Sequence, residues 1–346
     1  MLVDLGSGRV LHARQPDLAF VPASMTKVMS VYVALDLMKA GKLAPDRVFR
    51  VNAATAQAWN GKGTSLYLAA GEAITTDQLL RGISTVSAND ASIVLAEGYS
   101  GDVPGWTALM NGTAKGLGMN GSAFATPNGW PDNGATYVTA RDLVTLSKAL
   151  IGRFPDGYRR YFGQKTMDWH GVRLQSHDPT VGVVAGADGI KTGFTREAGY
   201  NFLGSAVRGD RRLVMVIAGA ASEAQRAAAS RALLEWGFQA WDSRRLFAAN
   251  AAAGEAKVQG GHDRSVALAA RQPIYATFPR GTRPRMTLTI RYKGPLVAPV
   301  MEGTEVAELE IAMDGAPAGR LPLIAAHSVG TANWLDRMVN GVLGLF

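Results

Sequence analysis

The segment Ser24-Met25-Thr26-Lys27 places a hydroxyl and an amine at S-x-x-K spacing, which occurs once in the chain, at the start of a predicted helix. On a helix, positions i and i+3 lie on one face, so the two side chains can meet. A serine hydroxyl is a weak nucleophile that needs a base beside it. Lysine serves as that base only when burial, nearby positive charge or a helix N-terminus lowers its pKa. The pattern therefore indicates acyl transfer at Ser24 assisted by Lys27, although alone it also describes a capping serine beside a solvated lysine.

Two further short motifs carry polar side chains suited to the same chemistry. Ser87-Ala88-Asn89 supplies a second hydroxyl and an amide that can donate to and accept from a substrate amide, and alone it also describes a turn. Lys191-Thr192-Gly193 supplies a cation and a hydroxyl for a carboxylate, with a glycine that admits a close backbone approach. On an edge strand, backbone N–H groups of this segment would also help to form an oxyanion hole.

The three motifs occur once each, in the order found in penicillin-binding proteins and class A β-lactamases. Over about residues 2–243, the chain resembles the low-molecular-mass penicillin-binding proteins that are serine D-alanyl-D-alanine carboxypeptidases. The segments that carry this resemblance are Pro22–Lys27, Ser87–Ala91, Leu117–Met119, Thr139–Asp142, Asp188–Thr195 and Ala198–Asn201.

The resemblance implies an acyl-enzyme mechanism that removes the terminal D-alanine from the pentapeptide stems of peptidoglycan. Ser24 would be the acylated nucleophile, Lys27 its general base, and Ser87 the relay of a proton to the leaving D-alanine. The backbone N–H groups of Ser24 and Phe194 would form the oxyanion hole. β-Lactams would acylate the same serine as inhibitors.

The resemblance also implies which residues hold the substrate. Asn89 would hold the substrate amide, Lys191 and Thr192 would bind the terminal carboxylate, and Gly193 would let the substrate backbone approach. Arg226, near the end of the catalytic region, falls where the family can carry an arginine close to that carboxylate. Its alternative is a solvated helix arginine.

Three rival functions stay open. A class A β-lactamase would carry a glutamate that activates the deacylating water, whereas the loop Thr126–Ala135 contains Asp132 and no glutamate. A D-alanyl endopeptidase would share every motif, and a non-enzymatic wall-binding protein would be expected to have lost some of them. The stretch Gln175–Pro179 departs from the asparagine- and leucine-rich segment of the family, which predicts a different hold on the peptide stem.

The elements that must position these residues predict an α/β (α+β) domain of the serine β-lactamase/transpeptidase type over residues 1–245. It would consist of an antiparallel sheet covered by helices, with a helical lobe. The predicted elements are a hairpin over 1–13, a helix from Pro22 to Gly41, a mainly helical region over 50–150, strands over 199–207 and 212–218, and a helix over 222–237.

The remainder of the chain has a different texture. Small residues predict a linker over 246–256, and short alternating runs predict a small β-rich domain over 257–328, which loosely resembles the stalk of the family. Residues 331–346 predict an amphipathic helix, with Trp334, Met338 and Val342 on one face. This helix resembles a membrane anchor. The other interpretation is that it packs on the β-rich domain.

Composition narrows the class of protein. The chain has 346 residues, 47% of them hydrophobic, and a net charge of +8 without a basic block. This charge suits an anionic polymer such as cell wall, or a membrane surface, rather than a nucleic-acid arm. No secretory signal or membrane-spanning run is present, so a periplasmic enzyme attached to the inner membrane through 331–346 would require a signal outside this sequence. There are no cysteines, and the histidines lack ligand spacing, so no metal and no organic cofactor are expected (His12, His170, His177, His262, His327).

Overall fold

The computed structural model describes residues 1–313 and 316–333, without the side chains of 316–318. The chain divides into two units. The first comprises Met1–Val3 and Leu11–Trp236, and the second comprises Asp4–Val10 and the chain from Gly237 onward. The predicted end of the first domain at residue 245 is therefore too late.

The three sequence motifs all lie in the first unit, which combines an antiparallel sheet with a set of helices. The sheet has the strand order β2-β1-β9-β8-β7, so β7 lies at one edge and the apolar β9 in the middle. The strands are β1 (Leu2–Asp4), β2 (Arg9–His12), β3 (Val48–Arg50), β4 (Ala73–Thr75), β5 (Thr166–Trp169), β6 (Val172–Gln175), β7 (Ala187–Thr195), β8 (Gly199–Arg208) and β9 (Arg211–Ala220).

The helices begin with a 3-10 turn at the first motif. They are the 3-10 helix Ala23–Thr26, α1 (Lys27–Lys39), α2 (Ala53–Trp59), α3 (Thr76–Thr85), α4 (Asn89–Ser100), α5 (Val103–Gly116), α6 (Ala140–Arg153), α7 (Pro155–Tyr161) and α8 (Glu223–Gln239). The predicted hairpin, first helix, late strands and final helix of this unit are thus confirmed within a few residues.

Helix α1 lies at the centre of the unit. Every residue from Lys27 to Leu35 is buried, so the helix has no face turned to water over its first turns. A helix that is apolar on all sides is stable only inside a core. The consequence for function is that Lys27, the first residue of α1, is carried into that core.

Local capping fixes where the helices that surround α1 begin. Thr75 and Gln78 form a reciprocal capping box at the start of α3. Thr139 accepts a hydrogen bond from the Asp142 backbone N–H at the start of α6, as its spacing predicts. Helix α4 begins at Asn89, which places the Ser87-Ala88-Asn89 motif at its N-terminus.

The second unit is all-β in its described residues. It contains a two-stranded sheet β10-β13 and a six-stranded sheet in the order β14-β16-β17-β12-β11-β15. Val266, Leu268, Leu309, Ile311 and Leu323 form part of its core. Its strands are β10 (Trp241–Phe247), β11 (Ala252–Gln259), β12 (Ser265–Ala269), β13 (Ile274–Pro279), β14 (Met286–Arg291), β15 (Leu296–Val297), β16 (Glu305–Met313) and β17 (Ala316–Ala325).

The prediction of a linker over 246–256 is wrong. Strand β10 reaches Phe247 and pairs with β13, and β11 begins at Ala252 and pairs with β12. The small residues serve close packing: Ala256 is fully buried, and a Cβ on Gly254 would lie 2.3 Å from Ile290 Cδ1. Sequence alone reads a run of small residues as a flexible connection because it does not show the neighbouring side chains.

The predicted amphipathic helix over 331–346 falls largely outside the described residues. Of the part that is described, Thr331 forms an isolated bridge with Gly261, and 332–333 belong to no helix or strand. Within the described residues, no helix combines the length and the apolar character needed to cross a membrane.

Candidate active site

Ser24 and Lys27 are in direct contact. Ser24 lies within the 3-10 helix, and Lys27 follows it as the first residue of α1. In a 3-10 helix, side chains at i and i+3 lie one above the other. Lys27 Nζ is 2.8 Å from Ser24 Oγ, and the lysine is 0% exposed. The sequence prediction that these two groups meet is thus confirmed in its geometry.

Lys27 Nζ has two other partners, and both are acceptors. It donates to Asn89 Oδ1 at 2.8 Å and to the backbone oxygen of Asn128 at 2.7 Å. A neutral amine has two N–H groups and one lone pair. With the two N–H groups used by Asn89 and Asn128, the lone pair is directed to the Ser24 hydroxyl. This arrangement is the one that a neutral lysine would need in order to accept the proton of Ser24.

The environment of Lys27 favours its neutral form. Burial holds the pKa of Lys27 well below its usual range, and the charge of Lys191 lowers that pKa further. The carboxylate of Asp90 acts in the opposite direction and raises it. Burial is the larger influence, because an ammonium inside a core has lost its hydration.

The buried Asp90, which the sequence motifs did not single out, organises the loop beside the site. Its carboxylate accepts hydrogen bonds from the backbone N–H groups of Leu66 and Leu68 and from the Ser65 hydroxyl at 2.7 Å. These bonds satisfy a charge that would otherwise be costly to bury. They also hold the loop that contacts Ser87 and Asn89.

Ser87 and Asn89 are fixed by that loop. The backbone oxygen of Ser87 accepts a hydrogen bond from Thr64 Oγ1 at 2.6 Å, and Asn89 Nδ2 donates to the backbone oxygen of Lys62 at 2.9 Å. Ser87 has a φ of +66°, in the left-handed region that a non-glycine residue enters at a cost. Within the described residues, no protein group hydrogen-bonds the Ser87 hydroxyl, so it is available to another molecule.

The Lys191-Thr192-Gly193 motif lies on the edge strand β7. Gly193 is required by the chain itself, since a Cβ there would lie 2.4 Å from the backbone oxygen of Pro22. Lys191 is buried, and its Nζ donates to the backbone oxygen of Thr192 at 3.2 Å. Burial lowers the pKa of Lys191 to about 7, with Asp178 opposing and Arg226 adding to that shift.

Arg226 is a buried residue on α8, so the alternative of a solvated helix arginine is wrong. It is 3% exposed, and its Nη2 donates to Glu223 Oε1 at 2.8 Å. Its guanidinium carbon lies 5.7 Å from the centroid of the Tyr200 ring. Its buried Nε has no hydrogen-bond partner in the protein. A buried cation with a free donor beside the site is suited to binding an anion.

The stretch that departs from the family, Gln175–Pro179, brings two charged or titratable residues to the site. His177 lines the cavity. Burial lowers the pKa of His177, and the nearby charge of Lys191 lowers it further. Asp178 Oδ1 accepts from the backbone N–H groups of Thr180 and Val181, while its Oδ2 is buried without a partner. Neither residue was predicted as part of the site.

A cavity of about 690 Å³ gathers most of the predicted residues. Lys27 and Lys191 do not line the cavity. Lys27 is separated from it by Ser24, which lines the cavity and contacts the lysine amine. The cavity is lined by Ser24, Ser87, Asn89, Thr192, Gly193, Phe194 and Arg226 among the predicted residues, and by Gly63, Thr64, Gly129, Trp130, Pro131, His177, Thr195, Arg196, Glu197, Tyr200 and Glu223 in addition.

The loop Thr126–Ala135 contributes backbone rather than a carboxylate. Its Asn128 carbonyl holds Lys27, and Gly129 lies against the 3-10 helix. Asp132 accepts hydrogen bonds from the backbone N–H and the hydroxyl of Thr136. A backbone carbonyl carries no sequence signal, so only the fold reveals this part of the site.

We expect Gly129→Ala to destabilise the protein strongly. A Cβ at this position would lie 1.8 Å from the backbone oxygen of Ala23, and φ is +72°. Overpacking and the left-handed backbone together predict a loss of about 2–4 kcal/mol in the free energy of unfolding. Gly134→Ala is the matched control, because φ there is +79° and no atom lies within 4 Å. Urea unfolding of both variants checks this, and equal losses would contradict the proposed packing.

These features are typical of a serine hydrolase site in which a buried lysine, rather than a histidine, lies beside the serine. The D-alanyl-D-alanine carboxypeptidase family of peptidases matches residues 1–222, and the C-terminal domain of penicillin-binding protein 5 matches residues 241–331. The chain therefore belongs to the D-alanyl-D-alanine carboxypeptidase family.

Characterised relatives are similar over almost the whole chain. The D-alanyl-D-alanine carboxypeptidase DacA of Escherichia coli K12 is 31% identical over 100% of this chain and 87% of its own length. DacC of the same organism is 31% identical over 100% of this chain and 87% of its own length.

Solved structures agree in fold. Penicillin-binding protein 5 of Haemophilus influenzae is 28% identical with a TM-score of 0.78, covering 95% of this chain and 96% of that chain. Penicillin-binding protein D2 of Listeria monocytogenes, in its ampicillin-bound form, is 28% identical with a TM-score of 0.62, covering 69% of this chain and 95% of that chain.

Proposed function

We propose that this protein is a serine D-alanyl-D-alanine carboxypeptidase that removes the terminal D-alanine from peptidoglycan pentapeptide stems. The observation that carries the proposal is the contact of 2.8 Å between Lys27 Nζ and Ser24 Oγ, with Asn89 and Asn128 occupying the amine's other hydrogen-bonding positions. This arrangement prepares the hydroxyl for attack on a carbonyl carbon.

In the acylation step, Ser24 Oγ forms a bond with the carbonyl carbon of the penultimate D-alanine while Lys27 Nζ takes the hydroxyl proton. The backbone N–H groups of Ser24 and Phe194 hold the developing oxyanion. The C–N bond then breaks, and the leaving amine receives a proton relayed through Ser87. The products are free D-alanine and an ester on Ser24. This role of Ser87 is supported by its position in the cavity and by the absence of another protein partner for its hydroxyl in the described residues.

The terminal carboxylate of the substrate binds beside β7. Arg226 and Lys191 supply two buried cations, and Thr192 supplies a hydroxyl at the edge of the sheet. Asn89 keeps one N–H of its amide for the substrate, since the other donates to Lys62. A carboxylate requirement at this end would select the last peptide bond of a linear stem over its internal bonds.

Deacylation reverses the roles of the same groups. A water molecule attacks the ester carbon, Lys27 accepts its proton, and the Ser24 oxygen leaves as a hydroxyl. Lys27 passes that proton to the departing Ser24 oxygen, and the tetrapeptide stem is released as a carboxylic acid that loses its proton to solvent, so atoms and charges balance with water as the second substrate.

Release of D-alanine from a synthetic pentapeptide tests the proposal. We expect one D-alanine for each peptide consumed, with a tetrapeptide as the only other product. An enzyme that leaves pentapeptides intact and cuts D-alanyl cross-links between stems would instead be an endopeptidase.

β-Lactams are proposed to acylate Ser24 and to be released slowly. Penicillin-binding protein D2 of Listeria monocytogenes has solved structures with ampicillin and with cefotaxime. The loop Thr126–Ala135 of this chain has no glutamate, and its one carboxylate, on Asp132, is engaged by Thr136. Rapid turnover of a penicillin ester, as in a class A β-lactamase, lacks its usual base here.

The pH dependence of catalysis follows from the two lysines. Lys27 must be neutral to act as a base, so kcat/KM falls as the pH is lowered through its depressed pKa. Lys191 must be charged to attract a carboxylate, and its pKa is lowered to about 7, so kcat/KM also falls as the pH rises above 7. We expect a bell-shaped profile of kcat/KM for a pentapeptide. A profile that rises steadily from about pH 6 to pH 9 would contradict the assignment of Lys191.

The family implies a periplasmic enzyme attached peripherally to the inner membrane, and we propose this placement with residues 331–346 as the anchor. Apolar residues at helical spacing in this segment support it. Co-sedimentation with phospholipid vesicles before and after deletion of 331–346 tests it, and unchanged sedimentation would remove the anchor.

A further inference from the structure

Two tryptophans are in contact beside the active-site cavity, and one of them lines it. Trp130 lines the cavity and is 37% exposed, and its ring meets that of Trp59 edge to face with centroids 5.5 Å apart. The ammonium of Lys62 lies 5.4 Å from the centre of the Trp59 ring. We refer to Trp59 and Trp130 as the tryptophan wall. The catalytic steps proposed above make no use of it.

The tryptophan wall is held beside Asn89, away from the carboxylate-binding residues. A Cβ on Gly63 would lie 2.8 Å from Asn89 Nδ2 and 3.3 Å from Trp130 Cζ3, so these groups are close neighbours. The backbone oxygen of Lys62 also accepts from Asn89 Nδ2. On the other side of Ser24, Gly193 of β7 packs on Pro22. The Ser24 segment is therefore in contact with β7 through Pro22, and with Asn89 through Lys27, where Trp130 is the neighbour of Asn89.

This geometry places different parts of a substrate on the two sides. A terminal carboxylate at Arg226 and a scissile carbonyl at Ser24 leave the acyl portion of the peptide on the side of Asn89 and Trp130. Exposed indole faces favour contact with hydrocarbon, and they gain from being covered. The part of the stem that arrives there is the residue that precedes D-alanyl-D-alanine.

The charge next to the wall is positive and unpaired. Lys62 is exposed and forms no ion pair within the described residues. Asp132, in the loop that carries Trp130, accepts hydrogen bonds from the backbone N–H and the hydroxyl of Thr136. A side chain passing over the wall thus meets an ammonium at its far end, which attracts a carboxylate and repels another ammonium.

We propose that the tryptophan wall and Lys62 form a subsite for the residue preceding D-alanyl-D-alanine, and that they favour a side chain of methylene groups ending in a carboxylate. The inference rests on the proposed carboxypeptidase function and adds the class of stem that the enzyme prefers. Stems whose third residue ends in a carboxylate are better substrates than stems with lysine there.

Three pentapeptides of the form L-alanyl-γ-D-glutamyl-X-D-alanyl-D-alanine isolate this preference. X is 2-aminopimelate, lysine or norleucine, so that equivalent chains end in a carboxylate, an ammonium or a methyl group. For the wild type we expect kcat/KM to be highest for the aminopimelyl peptide, lower for the norleucyl peptide and lowest for the lysyl peptide. In Lys62→Gln, the kcat/KM for the aminopimelyl peptide divided by that for the lysyl peptide should fall about three- to fivefold, as for loss of one exposed charge interaction. Lys115→Gln, an exposed lysine on α5, is the control with the same change of net charge.

Trp130→Ala tests the apolar part of the subsite. We expect kcat/KM for the norleucyl peptide to fall about tenfold, as for loss of one aromatic contact, while acylation by 6-aminopenicillanic acid, which lacks an acyl side chain, changes little. Tyr67→Ala is the control, since this tyrosine is 63% exposed and does not line the cavity.

The outcomes separate the subsite from the function on which it rests. An unchanged aminopimelyl-to-lysyl ratio in Lys62→Gln, with all three peptides still cleaved, overturns the subsite alone. So does an unchanged norleucyl rate in Trp130→Ala. If the wild type releases D-alanine from none of the three peptides, the proposed carboxypeptidase function itself is wrong.

Discussion

Ser24→Ala is expected to lower the rate of D-alanine release from a pentapeptide by at least about 10⁴-fold, because removing the nucleophile of an acyl-transfer enzyme leaves only binding and oxyanion stabilisation. The substitution removes one oxygen atom from a partly buried residue. The Lys27 amine keeps its contacts with Asn89 and Asn128. The fold and the binding of substrate are therefore preserved, so the loss is confined to kcat.

The measurement is single-turnover and steady-state release of D-alanine by purified wild type and variant. Ser122→Ala is the matched control: it also removes one serine hydroxyl, here one that donates to Asp142 at 2.7 Å, outside the cavity. We expect its kcat to be unchanged. A Ser24→Ala variant that retains more than about one hundredth of the wild-type rate would show that another group attacks the substrate.

Lys27→Met is expected to slow acylation of Ser24 by benzylpenicillin by about 10²–10⁴-fold, which is the range for loss of a general base. Methionine has a similar length, and it replaces a buried amine that is fully out of contact with water. The variant is expected to stay folded because methionine brings no charge into the core, although Asn89 Oδ1 and the Asn128 carbonyl lose a donor.

Stopped-flow acylation across a range of pH distinguishes a chemical role of Lys27 from a structural one. The wild type should lose acylation rate as the pH falls and Lys27 gains a proton, whereas Lys27→Met should lose that dependence. Lys115→Met, at an exposed position, should retain the wild-type profile. A Lys27→Met variant with a normal rate and a normal pH profile would exclude Lys27 as the base.

The sequence predicts the catalytic elements well because their signals are local. The spacing of Ser24 and Lys27 needs only one helical turn to bring the groups together, and the apolar run of β9 identifies a central strand without knowledge of its neighbours. The cap at Thr139 lies within a few residues of the group it binds. Interactions between residues this close in sequence can be predicted from a single sequence.

Other parts of the site depend on contacts between distant segments and were not predictable. Lys27 donates to the backbone carbonyl of Asn128, and every residue type has such a carbonyl. Gly129 is constrained by the oxygen of Ala23, which lies far from it in sequence. Arg226 could not be distinguished from a solvated arginine, because its burial depends on how α8 packs against Tyr200. His177 and Asp178 are polar residues in a loop until β7 brings Lys191 beside them.

The error over the linker has the same origin. The alanines and glycine of β11 pack against side chains from strands that come later in the chain, including Ile290. A small residue at a crowded position and a small residue in a flexible connection look alike in one sequence. Only the pairing of β11 with β12 separates the two cases.

Mass spectrometry of the intact protein after brief exposure to benzylpenicillin tests the central claim most directly. The claim is that Ser24, activated by Lys27, forms an acyl-enzyme that is released slowly. We expect the wild type to gain the mass of one penicillin, located on the peptide that contains Ser24, and Ser24→Ala to gain nothing. An unmodified wild type with intact drug in solution would contradict the claim that this site acylates. An unmodified wild type with fully hydrolysed drug would make the protein a β-lactamase.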